Sequence, residues 1–135
     1  MNNYKTIEFQ PHGDDTGKLI SLEKEVNIPF DFKRIYYIYD TKKTIQRGFH
    51  AHINLKQVIV SLSGSCVFVL DDGAQRKEIT LDSPTSGILI QGLIWREMKN
   101  FSDDCVLVVL ASEYYDTDDY IYDYKTFLRK VNERK

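Results

Sequence analysis

The hexapeptide Arg47-Gly48-Phe49-His50-Ala51-His52 holds the residues best suited to chemistry in this chain. In an extended strand, side chains alternate between faces with a period of two, so His50 and His52 point the same way. Two imidazoles sharing one cavity have three readings: metal ligation, acid–base chemistry, or structural hydrogen bonding. A stable metal site needs a third and usually a fourth ligand from neighbouring strands. The candidates for those places are poor. Gln57, where the next strand returns into the cavity, is a neutral amide, Arg96 is a permanent cation, and His12 falls in a loop. The expectation is therefore a site with no metal, in which His50 and His52 move protons, because a catalytic pKa near working pH serves both directions of transfer. Arg47, Arg34 and Arg96 add cations near the same mouth if strand parity holds. Guanidinium groups of this kind clamp a diphosphate through paired hydrogen bonds. Any one of them alone is more often a solvated surface charge, and their grouping around the histidines is what singles them out.

The elements that must position these residues read as β-strands. Short runs of β-branched and aromatic residues recur between turn signals, which is the pattern of an antiparallel sandwich or barrel. The expected strands are Lys5 to Phe9, Gly17 to Glu23, Lys33 to Asp40, Arg47 to Ile53, Gln57 to Ser63, Ser65 to Asp71, Arg76 to Leu81, Ile88 to Gly92, Ile94 to Met98 and Cys105 to Ser112. Corners fall at Asn27-Ile28-Pro29, Leu62-Ser63-Gly64, Asp71-Asp72-Gly73 and Asp82-Ser83-Pro84, with Asp72-Gly73 the strongest hairpin signal. Only the tail changes period: Ile121, Tyr124, Leu128 and Val131 recur at three- and four-residue spacing, as on one face of a short C-terminal helix, with Asp118 or Asp119 available to cap it. In the strand around Arg34, alternation puts Tyr36 on the arginine's face and Ile35 with Tyr37 on the other. Trp95 reads as packing, and the acidic, tyrosine-rich stretch from Glu113 to Tyr120 as a solvated surface or a dimer contact.

The 135 residues suit one domain spanning 1–135, and 42% hydrophobic against 28% charged residues is the balance of a chain that buries a core. A net charge of −2 supplies no global positive field, so neither nucleic acid nor an anionic bilayer is an expected partner. No stretch approaches the roughly 18 apolar residues of a membrane span, and the N-terminus has no apolar signal core, which predicts a cytoplasmic protein. Cys66 and Cys105 lie in apolar runs and read as buried free thiols.

Taken in order, several of these segments resemble the dTDP-sugar 3,4-ketoisomerases, a branch of the cupin-like sugar epimerase group. The similarity runs through Asn27-Ile28-Pro29-Phe30, Lys33 to Ile38, Arg47 to His52, Gln57 to Val60, Leu62 to Ser65, Leu70 to Gly73, Trp95 to Met98 and Leu110 to Tyr115. The resemblance implies an all-β, antiparallel cupin-type jelly-roll barrel that forms a homodimer and uses no metal or organic cofactor. It implies an isomerase that converts dTDP-4-keto-6-deoxyglucose into the 3-keto isomer, which an aminotransferase then turns into a 3-amino sugar of the kind found in O-antigens. It further implies that His50 and His52 form the acid–base pair and that Arg47 holds the diphosphate, with Arg34 and Tyr37 lining the same site. Some family members carry a third histidine where this chain has Arg96, and residues near Thr16 vary along the sugar pocket. Arg96 favours the gluco configuration at C4, and Thr16 leaves it open. Three other readings stand beside this one: a 3,5-epimerase on the same substrate, told apart by deuterium entering C5; a sugar-nucleotide-binding cupin without catalysis; and a metal-dependent cupin dioxygenase, decided by elemental analysis.

Overall fold

In the computed structural model, which describes residues 1–135, twelve strands, a single 3-10 turn at Thr117–Asp119 and one α-helix follow the turn signals of the sequence. The strands are β1 (Tyr4–Glu8), β2 (His12–Asp14), β3 (Gly17–Leu19), β4 (Arg34–Ile38), β5 (Arg47–His52), β6 (Gln57–Ser63), β7 (Cys66–Asp71), β8 (Arg76–Leu81), β9 (Ser86–Ile90), β10 (Trp95–Lys99), β11 (Val106–Ala111) and β12 (Tyr120–Ile121), and the helix is α1 (Tyr124–Glu133). Two five-stranded antiparallel sheets form the jelly-roll barrel, in the orders β1-β9-β6-β11-β4 and β12-β5-β10-β7-β8. The β2–β3 hairpin pairs with neither sheet.

Apolar side chains fill three layers. Between the sheets, Ile59, Ile88, Ile90, Leu107 and Val109 of the first meet Phe68, Leu70 and Met98 of the second. The outer face of the first sheet, with Val58, Val60, Leu89 and Leu110, is covered by Phe9, Ile28 and Phe30. Residues 57–61 of β6 are thus buried on both sides, which explains why that strand reads as a continuous apolar run with no alternation. The outer face of the second sheet presents Ala51 and Trp95, and these are covered by Phe127 of α1 with Leu93 and Ile121.

The tail departs from the sequence reading in two places. Asp123, not Asp118 or Asp119, caps α1, its carboxylate accepting from the Thr126 backbone N–H at 3.1 Å. Ile121 lies before the helix, on β12, because Tyr120 and Ile121 extend to pair with His52 and Ala51 of β5. Similarly, the expected strand from Gly17 stops at Leu19, and His12 sits in a strand, not a loop. The helix is tied down at one buried carboxylate: Asp71 accepts from the Tyr124 hydroxyl at 2.7 Å, from Arg76 Nη2 at 2.9 Å and from the Gly73 N–H at 2.7 Å. Gly73 holds φ at +94° in the β7–β8 turn, and an added Cβ there would meet Val131 of the helix at 3.1 Å. Cys66 and Cys105 are free and buried, and burial pushes both thiols up. No helix is long and apolar enough to cross a membrane.

Phe127 is fully buried at the centre of the helix contact. Phe127→Ala is expected to cost about 3–5 kcal/mol in urea unfolding, as cavity-forming aromatic truncations do. A loss below about 1 kcal/mol would show that the helix does not clamp the second sheet.

Candidate active site

The site is built on β5 and the strands beside it. His50 pairs with Arg96 of β10, and Arg47 with Met98. Met98 belongs to the core between the sheets, and directly opposed residues point to the same side, so all four face inward. Strict alternation would have sent Arg47, three residues before His50, to the outside. A shift in the β5–β10 register at Gly48 and Phe49 brings it back.

The two imidazoles lie edge to face with centroids 4.9 Å apart. His52 is 1% exposed, and its Nδ1 lies 3.2 Å from Asp119 Oδ2. Asp119 is fixed in turn by the Asn54 N–H, which donates to its Oδ1 at 2.7 Å. A carboxylate on Nδ1 sets the tautomer in which Nε2 carries the lone pair. No protein group satisfies that Nε2. Tyr120, opposite His52 on β12, stands 4.2 Å from the His52 ring and 5.1 Å from His50.

Beneath the rings lies Arg96. It is not at the mouth, as the sequence suggested, but 2% exposed on the barrel floor, because position 96 faces inward directly opposite His50. Its Nη1 donates to Gln57 Oε1 at 2.5 Å and its Nη2 to the Ile94 carbonyl at 3.0 Å, leaving Nε unpartnered. Gln57 Nε2 donates to the Tyr36 hydroxyl at 2.8 Å, completing a buried chain of Arg96, Gln57 and Tyr36. Arg34 donates through Nε to the Glu113 carbonyl and lies over the rings of Tyr36 and Tyr115. Tyr37 borders the cavity from outside. It stands 67% exposed on the outer face of β4 against Tyr39 and reaches only the rim, whereas Tyr36 turns inward by the alternation of the strand. Thr16 is also outside, at the tip of the β2–β3 hairpin, bonded to Asp14.

Space for a ligand is divided into two lobes of about 570 Å³ each. One is lined by His52, Asn54, Asp116 and Asp119, the other by Tyr36, Arg47, His50 and Tyr122, and both are bordered by Arg34, Tyr115 and Tyr120. A void of about 30 Å³ continues below His50 toward Gln57 and Arg96. The tyrosine-rich stretch thus forms a wall of the site. Its contribution was missed in the sequence because β12 is two residues long and Asp119 lies 67 positions from its histidine.

Burial lowers the His50 pKa to about 4, with the Arg96 charge acting the same way and a hydrogen bond with the Gly48 backbone opposing both. Burial, then Arg96, then His50 push His52 lower still. Burial also raises the Tyr36 hydroxyl, and it lowers Arg96 to about 10, which leaves the guanidinium charged at neutral pH. The site at neutral pH therefore holds two neutral imidazoles, a protonated phenol and a buried cation. No three His, Cys, Asp or Glu side chains gather into a metal-ligating group. This arrangement suits removal of a carbon-bound proton next to a carbonyl, with the resulting oxyanion in the field of Arg96.

Barrel and site together define an acid–base isomerase of the cupin type. Comparison with known proteins is specific. The family model FdtA, described as WxcM-like, C-terminal, matches residues 2–132. The chain is 51% identical over 134 residues to the TDP-4-oxo-6-deoxy-alpha-D-glucose-3,4-oxoisomerase of Aneurinibacillus thermoaerophilus, covering 97% of this chain and 96% of the relative. A 3,4-ketoisomerase from Helicobacter canadensis superposes with a TM-score of 0.94 at 50% identity, covering 96% of this chain and 98% of the other. A sugar 3,4-ketoisomerase from Thermoanaerobacterium thermosaccharolyticum, solved in complex with TDP, gives a TM-score of 0.96 at 42% identity over 99% and 98% of the two chains. The chain belongs to the FdtA family.

The histidines make stability depend on pH. A group whose pKa falls from 6.5 in the unfolded chain to about 4 in the fold leaves the unfolded state binding more protons between those values. Stability is then complete above pH 6.5 and declines as pH falls toward 4. Melting midpoints measured from pH 7.5 to 4.5 are expected to drop through this window, and His50→Asn to flatten the decline. A wild-type midpoint that stays constant to pH 4.5 would contradict the depressed values.

Proposed function

We propose that this chain is a metal-independent isomerase that converts dTDP-4-keto-6-deoxy-D-glucose into a dTDP-3-keto-6-deoxy-D-hexose, for synthesis of a 3-amino-3,6-dideoxy sugar. The observation that carries the reading is His52: neutral, held by Asp119 through Nδ1, with a buried Nε2 that no protein group engages. The 4-ketone acidifies the C3 proton. His52 Nε2 takes that proton, and the C3–H electron pair moves into the ring to give an enediolate with negative charge on the C4 oxygen. Arg96 and the Tyr36 hydroxyl stabilise that charge. His52 returns the proton to C4 while the hydroxyl proton passes from O3 to O4 with His50 in support. The carbonyl has then moved to C3, and no atom is gained or lost. Arg47 and Arg34 hold the diphosphate, with Tyr37 at the rim.

We further place the enzyme in the cytoplasm, as one domain spanning residues 1–135 and as a homodimer. What supports pairing is the edge strand β4, whose outer face carries the exposed Ile35 and Tyr37. The 3,5-epimerase and binding-module readings predict different labelling: deuterium at C5 for the first, and no exchange at C3 for the second.

His52→Asn is expected to abolish turnover, followed by proton NMR of the substrate in deuterated buffer, while TDP binding measured by calorimetry persists. A fully active variant would remove His52 from this role. Asp119→Asn should lower kcat by about a hundredfold or more with KM little changed, since the wrong tautomer places a proton on the working nitrogen. A KM effect with kcat intact would assign Asp119 to binding instead. Coupling the reaction to a 3-aminotransferase and reading the amino sugar by NMR reports the C4 configuration: return of the proton by His52 to the face it left gives galacto, whereas the gluco product that the resemblance attaches to Arg96 needs protonation of C4 from the opposite face.

A further inference from the structure

The geometry points to Gly48 and Phe49 as positioning residues that deliver Arg47 to the diphosphate side of the cavity. This inference rests on the reading of Arg47 as a diphosphate ligand. On β10, Arg96 pairs with His50, but the next residue, Glu97, pairs with Gly48, so Phe49 has no partner of its own. The inserted Phe49 and its neighbour Gly48 both have left-handed backbone, with φ at +61° and +90° respectively. An extra residue with positive φ bends a strand and reverses its parity beyond that point. Here the reversal lets a histidine and an arginine three positions apart face one cavity, which a regular strand forbids.

Each position carries a distinct constraint. A Cβ on Gly48 would lie 2.9 Å from the Arg96 carbonyl oxygen and 3.2 Å from Glu97 Cα, so neither the conformation nor the space admits a side chain. Phe49 is half-exposed, and an aromatic residue is an uncommon occupant of the left-handed region. What is retained there is a backbone shape, not a packed side chain. Arg47 itself enters none of the protein's ion pairs, whereas Arg34 is bonded to the Glu113 carbonyl, Arg76 to Asp71 and Arg96 to Gln57. It is the arginine of the rim left uncommitted for an anion. The bulge sets binding and leaves His50 and His52 in place, because the register beyond Phe49, with Arg96 opposite His50 and Tyr120 opposite His52, does not depend on where residue 47 points.

The test is a double-mutant cycle on TDP affinity by titration calorimetry, with thermal melts to confirm folding. Arg47→Ala is expected to weaken TDP binding by about tenfold or more, Gly48→Ala by the same factor within about twofold, and the double variant no further, since both remove one charge-assisted contact. Steady-state kinetics should show the loss in KM and not in kcat. Should Arg47→Ala bind TDP as tightly as the unaltered enzyme, the diphosphate reading of Arg47 falls. If Arg47→Ala is weak while Gly48→Ala is tight, or if the two losses add, the positioning role of the bulge falls. The Phe49 pair decides the matter even where Gly48→Ala fails to fold. Phe49→Asn, a residue that accepts left-handed backbone, should keep affinity within about threefold, while the β-branched Phe49→Val should lose it. Equal affinity of those two variants would overturn the inference.

Discussion

A guanidinium buried without a carboxylate partner governs the site. Arg96 is held on the barrel floor by a glutamine oxygen and a backbone carbonyl, both neutral, so its charge is solvated by fixed dipoles and not cancelled by an ion pair. Burying a charge this way is costly, and only a rigid, well-bonded surround tolerates it. The gain is a positive field directly beneath two imidazoles, which adds to their burial in keeping both neutral and favours an anion forming above them. Asp119 is bonded to His52 and the Asn54 N–H and makes no hydrogen bond to Arg96, although its charge acts on the guanidinium.

Much of this was legible in the sequence, and the exceptions share a physical cause. Period-two alternation gave His50 and His52 a common face, and it also separated Tyr36, which turns inward, from Tyr37, which reaches the cavity only at its rim. Gln57 was legible as a residue returning to the cavity, since it opens an apolar strand. Three features were not. The depth of Arg96 follows from its cross-strand partner, which one strand's sequence does not contain. The bulge needs a phenylalanine with positive φ, which local preference disfavours, so nothing local announces it. Asp119 and Tyr120 come from a two-residue strand whose existence depends on pairing with a distant edge. Long-range pairing decided each case where local pattern failed.

The same dependence explains the layers around the barrel. β5 and β10 carry the histidines and Arg96 on their inner faces and Ala51 and Trp95 on their outer faces. The helix that covers the outer pair is fastened to the β7–β8 turn through Asp71. Packing on the outside therefore fixes the strand backbones from which the chemical groups project. The hydrogen bond from the Trp95 indole to Glu97 brackets Arg96 from the far side of the same strand.

The division of the cavity into two lobes has an evolutionary consequence. Only Arg34, Tyr115 and Tyr120 border both, so residues that shape one chamber can drift without disturbing what the other recognises. A change at one of those three residues is felt in both chambers at once, whereas a change at Asn54 or Tyr122 is felt in one alone.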